Sequence, residues 1–212
     1  MRPLFLGLAC SVSFLLGVAV AAKGVAAAKC GEPVAAPKWE IGDNWTIQDE
    51  LGDERTETVV GFEGALARVE SQRTGRKTLR FFDADQVLRK VIEPDGAVLD
   101  TPGQRGYTFL RLKTLEFPLQ VGKTWHFTFA QGKAMYWREY RVVACEEITI
   151  VAGKFSALKI EATNRRVGAR GEGSVRHEWY APAAKRIIRG TYRRRDQGNA
   201  LFVWELLRYR VN

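Results

Sequence analysis

Histidine is nearly absent from this chain, cysteine is scarce, and a long apolar run occurs only once. Two histidines (His126 and His177) and three cysteines (Cys10, Cys30 and Cys145) offer no pair with the spacing of a metal-ligand set. There is no Gly-x-Ser-x-Gly elbow, no Walker phosphate loop and no His-Glu-x-x-His, which removes the usual signatures of serine hydrolases, nucleotide enzymes and zinc proteases. No catalytic residue, cofactor or metal is assigned, and catalysis ranks below binding or a structural role. Helical periodicity is also missing beyond the first residues. Short runs alternating apolar and polar side chains recur instead between turn signals, the pattern of β-strands.

The one apolar run is N-terminal. Arg2 precedes nineteen uncharged residues from Leu4 to Ala22, followed by Lys23-Gly24 and then Ala26-Ala27-Ala28. A cation, an apolar stretch and a small-x-small site make the layout of an export signal, with cleavage expected after Ala28. The run also has the length of an uncleaved membrane anchor, but its glycines, serines and alanines dilute the hydrophobicity and favour cleavage. Lipidation is a weaker alternative, because Cys10 comes too early and Cys30 follows Lys29 where a small residue is wanted. The expected division is a helical signal peptide over 1–28, a linker over 29–37 and a single β domain over 38–212. The protein is expected in the periplasm, with tethering through a retained N-terminal segment as the other outcome. Cys30 and Cys145 remain after cleavage, and in an oxidising compartment they close a disulfide or stay as two unrelated thiols.

Leu158, Ile160 and Ala162 alternate with Lys159, Glu161 and Thr163, and Ile148 and Ile150 with Glu147 and Thr149. Between the two runs Val151-Ala152-Gly153-Lys154 supplies the turn of a hairpin. Glu93-Pro94-Asp95-Gly96 separates Val87–Ile92 from Ala97–Leu99, Thr74-Gly75-Arg76 separates Leu66–Ser71 from Lys77–Phe82, and Asp196-Gln197-Gly198-Asn199 separates Arg186–Arg194 from Leu201–Val211. About ten antiparallel strands result, since the connections are too short for crossovers.

The tail of FPLQVGKTW, Val-Gly-Lys-Thr-Trp at 121–125, echoes Ile-Gly-Asp-Asn-Trp at 41–45. With Trp45 aligned to Trp125, Phe81-Phe82-Asp83-Ala84 falls opposite Trp179-Tyr180-Ala181-Pro182, and Leu88-Arg89-Lys90-Val91 opposite Arg186-Ile187-Ile188-Arg189. Three blocks in one order point to an internal duplication, with halves at about 38–100 and 117–212 and the 148–162 hairpin as an insertion in the second. In each half a glycine permits a bend entering a strand and an indole anchors that strand to the core.

The phrases FPLQVGKTW, ITIVAGKFSALKIEAT, EWYAPAAKRIIRG and WELLRY resemble an uncharacterised family of exported bacterial β-proteins, a domain of unknown function distantly similar to the LolA/LolB lipoprotein carriers. The resemblance spans most of residues 38–210. It departs at Val151, where the family usually has proline, and at Ala183-Ala184-Lys185, where it has a glycine-rich turn. It implies a strongly curved antiparallel sheet forming a half-barrel or open barrel, and it carries over no catalytic residue.

Charge is unevenly placed. The chain carries a formal +9, of which +7 remains once Arg2 and Lys23 leave with the signal; residues 165–212 hold twelve cations and four acids, against nineteen and twenty in residues 29–164. Arg193, Arg194 and Arg195 form the densest cluster. Export argues against nucleic acid. Guanidinium forks suit phosphate or carboxylate, so an amphiphile, an anionic lipid or an acidic envelope protein is the expected partner; a well-solvated basic hairpin is the plain alternative. Glu205 lies in Leu201–Leu207, a run that reads as buried on both faces, where a carboxylate needs an ion-pair partner or faces a ligand cavity. His126 is expected opposite the apolar face of Trp125, Phe127 and Phe129, and His177, alternating with Val175 and Trp179, is expected to point inward. Six tryptophans line a cavity or fill the space within a curved sheet. The leading expectation is a concave face that takes an apolar chain while C-terminal arginines take its anionic head. The runner-up is a scaffold that docks an acidic partner through the Arg193–Arg195 hairpin.

Overall fold

The computed structural model describes residues 32–106, 110–169, 173–194 and 200–212; the N-terminal apolar segment, Cys30 and the Asp196–Asn199 turn lie outside the described residues. Twelve strands form one antiparallel sheet: β1 (Asn44–Gln48), β2 (Glu54–Glu63), β3 (Leu66–Arg73), β4 (Arg76–Phe82), β5 (Leu88–Ile92), β6 (Val98–Leu99), β7 (Thr124–Gln131), β8 (Ala134–Ile150), β9 (Gly153–Arg166), β10 (Ser174–Ala181), β11 (Arg186–Arg194) and β12 (Ala200–Arg210). Their order is β6-β5-β4-β3-β2-β1-β12-β11-β10-β9-β8-β7. The sheet is strongly curved and not closed. Strands β6 and β7 are its edges, and β1 pairs with β12 at its centre. The helical pieces among the described residues are two short 3-10 turns, Gln104–Gly106 and Pro182–Ala184. No helix among the described residues is long and apolar enough to cross a membrane. Alternation predicts about ten strands, and β2 is the clearest omission: its inward positions are Arg55, Glu57 and Val59, so charge masks the period.

The two six-strand runs repeat their irregularities. Gly42 and Gly122 both take left-handed backbone, at φ 95° and 91°, a conformation open to glycine at little cost. The Asp43 N–H donates to the Glu40 carbonyl and the Lys123 N–H to the Gln120 carbonyl, each at 3.0 Å. The Gly42 N–H reaches the Val59 carbonyl at 2.9 Å, and the Gly122 N–H reaches the Val142 carbonyl at 2.8 Å. Pairing of β2 with β3 shifts after Val59, and pairing of β8 with β9 shifts after Val142. A further bulge lies at Arg89 of β5, opposite Phe81 and Phe82, and at Ile188 of β11, opposite Trp179 and Tyr180. It places Leu88 opposite Phe82 and Ile187 opposite Tyr180. The third sequence block is therefore displaced by one residue from its expected alignment: Leu88 corresponds to Ile187, not Arg186, because the second turn is one residue longer. The extra length around the 148–162 hairpin is added to β8 and β9 themselves. It carries Ile148, Ile150, Phe155 and Ala157 across to the core formed by Trp45, Val59 and Leu206.

Trp45 and Trp125 are each the second residue of the first strand of their half, and both are buried. The Trp45 Nε1–H donates to the Ala184 carbonyl at 2.7 Å, and the Trp125 Nε1–H to the Lys113 carbonyl at 3.3 Å. One indole thus binds the first half to the turn after β10. Lys185, in left-handed backbone at that turn, closes the same seam: its Nζ donates to buried Asp43 Oδ2 at 3.0 Å and to the Asn212 carbonyl at 2.9 Å. The other indole holds the segment between the halves, whose Leu110, Leu112, Leu115 and Leu119 are buried. Val34 is engaged there too, since it and Leu119 exchange backbone hydrogen bonds at 2.8 Å. Trp45→Phe leaves the buried Ala184 carbonyl unpaired and is expected to cost about 1–3 kcal/mol in urea unfolding. Trp125→Phe, with a longer and half-buried bond, is expected to cost less.

Candidate functional site

Alternation across the C-terminal half places Arg138 and Tyr140 of β8, Ala162 and Asn164 of β9, and Arg176 and Glu178 of β10 side by side on the concave face, as cross-strand partners. Arg55, Glu57, Ser71, Arg73, Thr78 and Arg80 occupy the corresponding belt of the N-terminal half. Above the leucine-filled floor this belt surrounds a cavity of about 670 Å³, with Trp39, Phe82, Leu112, Leu115, Phe129 and Trp204 among its apolar walls. Six lining residues are arginines and four are carboxylates, so its side chains sum to positive charge. Asp49 and Asp53 are taken up at the mouth by Arg73.

Two ionic clusters organise the belt. Glu57 is fully buried and lies 3.0 Å from Arg55 Nε, 2.9 Å from Arg80 Nη1 and 2.6 Å from Arg186 Nη2. Burial alone would raise its pKa, but Arg186, Arg55 and Arg80 outweigh that and hold the carboxyl far below its ordinary range. The second cluster centres on Arg176, whose Nη2 donates to the Tyr140 hydroxyl at 3.1 Å and lies 3.1 Å from Glu178 Oε1. Burial pulls the Arg176 pKa down, and Glu178 and Tyr140 more than compensate, so the group stays charged. Burial pushes the Tyr140 hydroxyl up, against the pull of Arg176, and its ring stacks on Trp125 with centroids 5.1 Å apart and planes within 3°. Arg138 lies over the Phe129 ring at 4.8 Å.

These clusters leave donors over. Arg138 Nη1, Arg176 Nε and Arg186 Nη1 are buried with no hydrogen-bond partner, as are Asn164 Oδ1 and Glu178 Oε2. An orphaned buried polar atom is costly and uncommon. Arg68 and Arg189 hold others on the opposite face, but around the cavity five such atoms share one space. One wall is shaped by glycine: the Trp204 indole lies across Gly190 so closely that a Cβ there would sit 2.2 Å from Nε1.

Of the residues singled out in the sequence, Arg193 is among those around the cavity and Glu205 is not. Arg193 is exposed near the end of β11, while the Arg194 side chain and Arg195 lie outside the described residues. Glu205 is half-buried opposite Arg189 and Gln48, on the face away from Trp204 and Leu206. Its run is not buried on both faces, since Leu201 is 53% exposed. His177 points outward rather than inward, with Nε2 3.3 Å from Glu161 Oε2, because the positions flanking it are the inward Arg176 and Glu178. His126 is exposed on β7 opposite the apolar face, as expected. Three strand spacings, about 14 Å, separate its strand from that of His177, so the two histidines and Glu205 form no common site. Cys145 is disulfide-bonded; Cys30 is outside the described residues. What sequence reading missed is the arginine belt, whose signal is a pair of charges two positions apart in β2, Arg55 and Glu57, and in β10, Arg176 and Glu178; Arg138 stands alone between tyrosines in β8.

No family model and no curated protein matches the chain. Among solved structures, a Bacteroides fragilis protein described as exported and as having a YmcC-like fold is similar at 13% identity and a TM-score of 0.40, over 84% of this chain and 100% of that one. A Parabacteroides distasonis protein described as a lipoprotein is similar at 12% identity and a TM-score of 0.37, over the same shares.

Proposed function

We propose that this is an exported cell-envelope protein that binds an anionic amphiphile in the concave cavity. The observation that carries the reading is the convergence of orphaned guanidinium atoms of Arg138, Arg176 and Arg186 on a space that Trp39, Phe82 and Leu115 wall in part. Guanidinium forks match carboxylate and phosphate, and the ring and leucine surfaces of Trp39, Phe82 and Leu115 suit a hydrocarbon portion. A volume of about 670 Å³ lies within the range of about 300–1,000 Å³ typical of small-molecule sites. Export rests on the signal-like residues 1–28, and the periplasm is the compartment in which Cys30 and Cys145 would pair.

Native mass spectrometry of protein recovered from the envelope of its own host tests this. The expected result is a mass above that of the polypeptide, lost on solvent extraction, with the extract behaving as an anionic amphiphile. Protein that arrives ligand-free and takes up neither palmitate nor a lysophospholipid in solution would overturn the reading.

A further inference from the structure

Every second strand end lies at the mouth of the cavity. There, on the outer face, neighbouring strands of the C-terminal half expose Met135 of β8, Val167 just beyond β9, Val175 of β10 and Leu201 of β12, between 42% and 56% accessible. Their sharing of one face follows from register. The Val167 N–H donates to the Met135 carbonyl at 2.8 Å, Val175 pairs with Thr163 and Leu201 with Arg193, while Arg138, Asn164 and Arg176 alternate with them inward. Cations are interleaved: Lys133, Arg165, Arg166 and Arg193 are all exposed at this end, and Arg165 sits 5.8 Å over the half-buried Trp137 ring. Glu161, further from the mouth on the same face, is engaged by His177 at 3.3 Å. The mouth of the N-terminal half is mixed in charge: Asp49 and Asp53 are engaged by Arg73 and Glu54 by Arg208, with Arg76 and Lys77 exposed beside them.

We propose that this shoulder, Met135-Val167-Val175-Leu201 with its arginines, docks on the anionic leaflet of a lipid bilayer and turns the cavity mouth toward it. Five adjacent strands from β8 to β12 span about 20 Å, a row long enough to lie along an interface. Aliphatic side chains interleaved with arginine and lysine, with an aromatic ring one step behind, match the headgroup boundary: hydrocarbon enters and cations stay with lipid phosphates. The surface is a shallow row without a pocket for an anchoring side chain, which disfavours a protein partner. The inference goes beyond cavity binding and stands without it.

The test is co-sedimentation of the protein, processed as its host processes it, with phosphatidylcholine vesicles containing or lacking phosphatidylglycerol. Wild type is expected to favour the anionic vesicles and to be released by salt. Val167→Asp/Leu201→Asp is expected to lower anionic partitioning by about tenfold or more, and Lys133→Ser/Arg165→Ser to remove most of the anionic preference. Both pairs are exposed, and because wild type and variants share one N-terminus, any tethering by that segment cancels in the comparison. Equal binding to neutral and anionic vesicles, binding by both variants as strong as wild type, or loss of an acidic protein partner with vesicle binding unchanged would each overturn the proposal. Either pair decides if the other fails to fold. Ligand retained by the Val167→Asp/Leu201→Asp protein in native mass spectrometry separates failure at the shoulder from failure of the cavity.

Discussion

Glu57→Gln is expected to destabilise the protein by about 3–5 kcal/mol, the usual cost of removing one partner from a buried ionic cluster. The substitution keeps shape and volume but leaves Arg55, Arg80 and Arg186 clustered without the carboxylate that lies within 3.0 Å of all three. Arg186 comes from β11 and the others from β2 and β4, so the loss falls on the joint between the halves and is expected to lower the urea midpoint of the whole sheet. A pH series on the wild type gives a second measure. The folded pKa of Glu57 is depressed below its ordinary 4.5, so its contribution is complete above that value and is lost as pH falls through the acid range toward the folded pKa. Wild-type stability should drop between about pH 5 and pH 2, and the difference between wild type and Glu57→Gln should shrink over the same interval. A difference that is constant with pH would mean that the cluster is not held by an ionised carboxylate.

Physical causes separate what was legible in the sequence from what was not. Strands such as β9 announce themselves because one face packs on the floor: Leu158, Ile160 and Ala162 are buried and their alternates are half-wet. The Gly-x-x-Trp repeat was legible because φ near 95° and an anchoring indole constrain residue type locally. The belt was not, because it inverts the usual code. At Arg176 and Glu178 the inward residues are charged, and the outward Val175 and Trp179 look like a core face, so the direction assigned to His177 came out reversed. The segregation of positive charge in the C-terminal residues is legible from composition, with Arg193–Arg195 as its densest part. Arg176 and Arg186 come from that same basic segment, and what brings them together with Arg138 is the curl of the sheet, which composition does not record. Nothing local to β2 and β11 signals that Glu57 will meet Arg186, 129 positions away along the chain.

Arg138→Met is expected to weaken binding of an anionic amphiphile such as palmitate by about 10- to 100-fold, the worth of one or two charge-assisted hydrogen bonds, with little change in thermal midpoint. Arg138 is the informative arginine. Arg176 and Arg186 each hold a buried carboxylate, so removing either strands a charge, whereas Arg138 rests on the Phe129 ring with Nη1 unpartnered. The neutral long-chain alcohol of the same length should bind the variant as it binds wild type, because it has no charge for the lost guanidinium to meet. Gly190→Ala acts differently. Its Cβ cannot coexist with the Trp204 indole at 2.2 Å, the β11 backbone blocks one direction, and the ring is driven into the cavity. Acid and alcohol should then weaken together, alongside an overpacking cost of about 1–3 kcal/mol. Calorimetry with both ligands on both variants thus separates a head-recognition residue from a wall. If Arg138→Met leaves palmitate binding unchanged while Gly190→Ala abolishes it, the cavity holds hydrocarbon alone and the headgroup lies outside the belt.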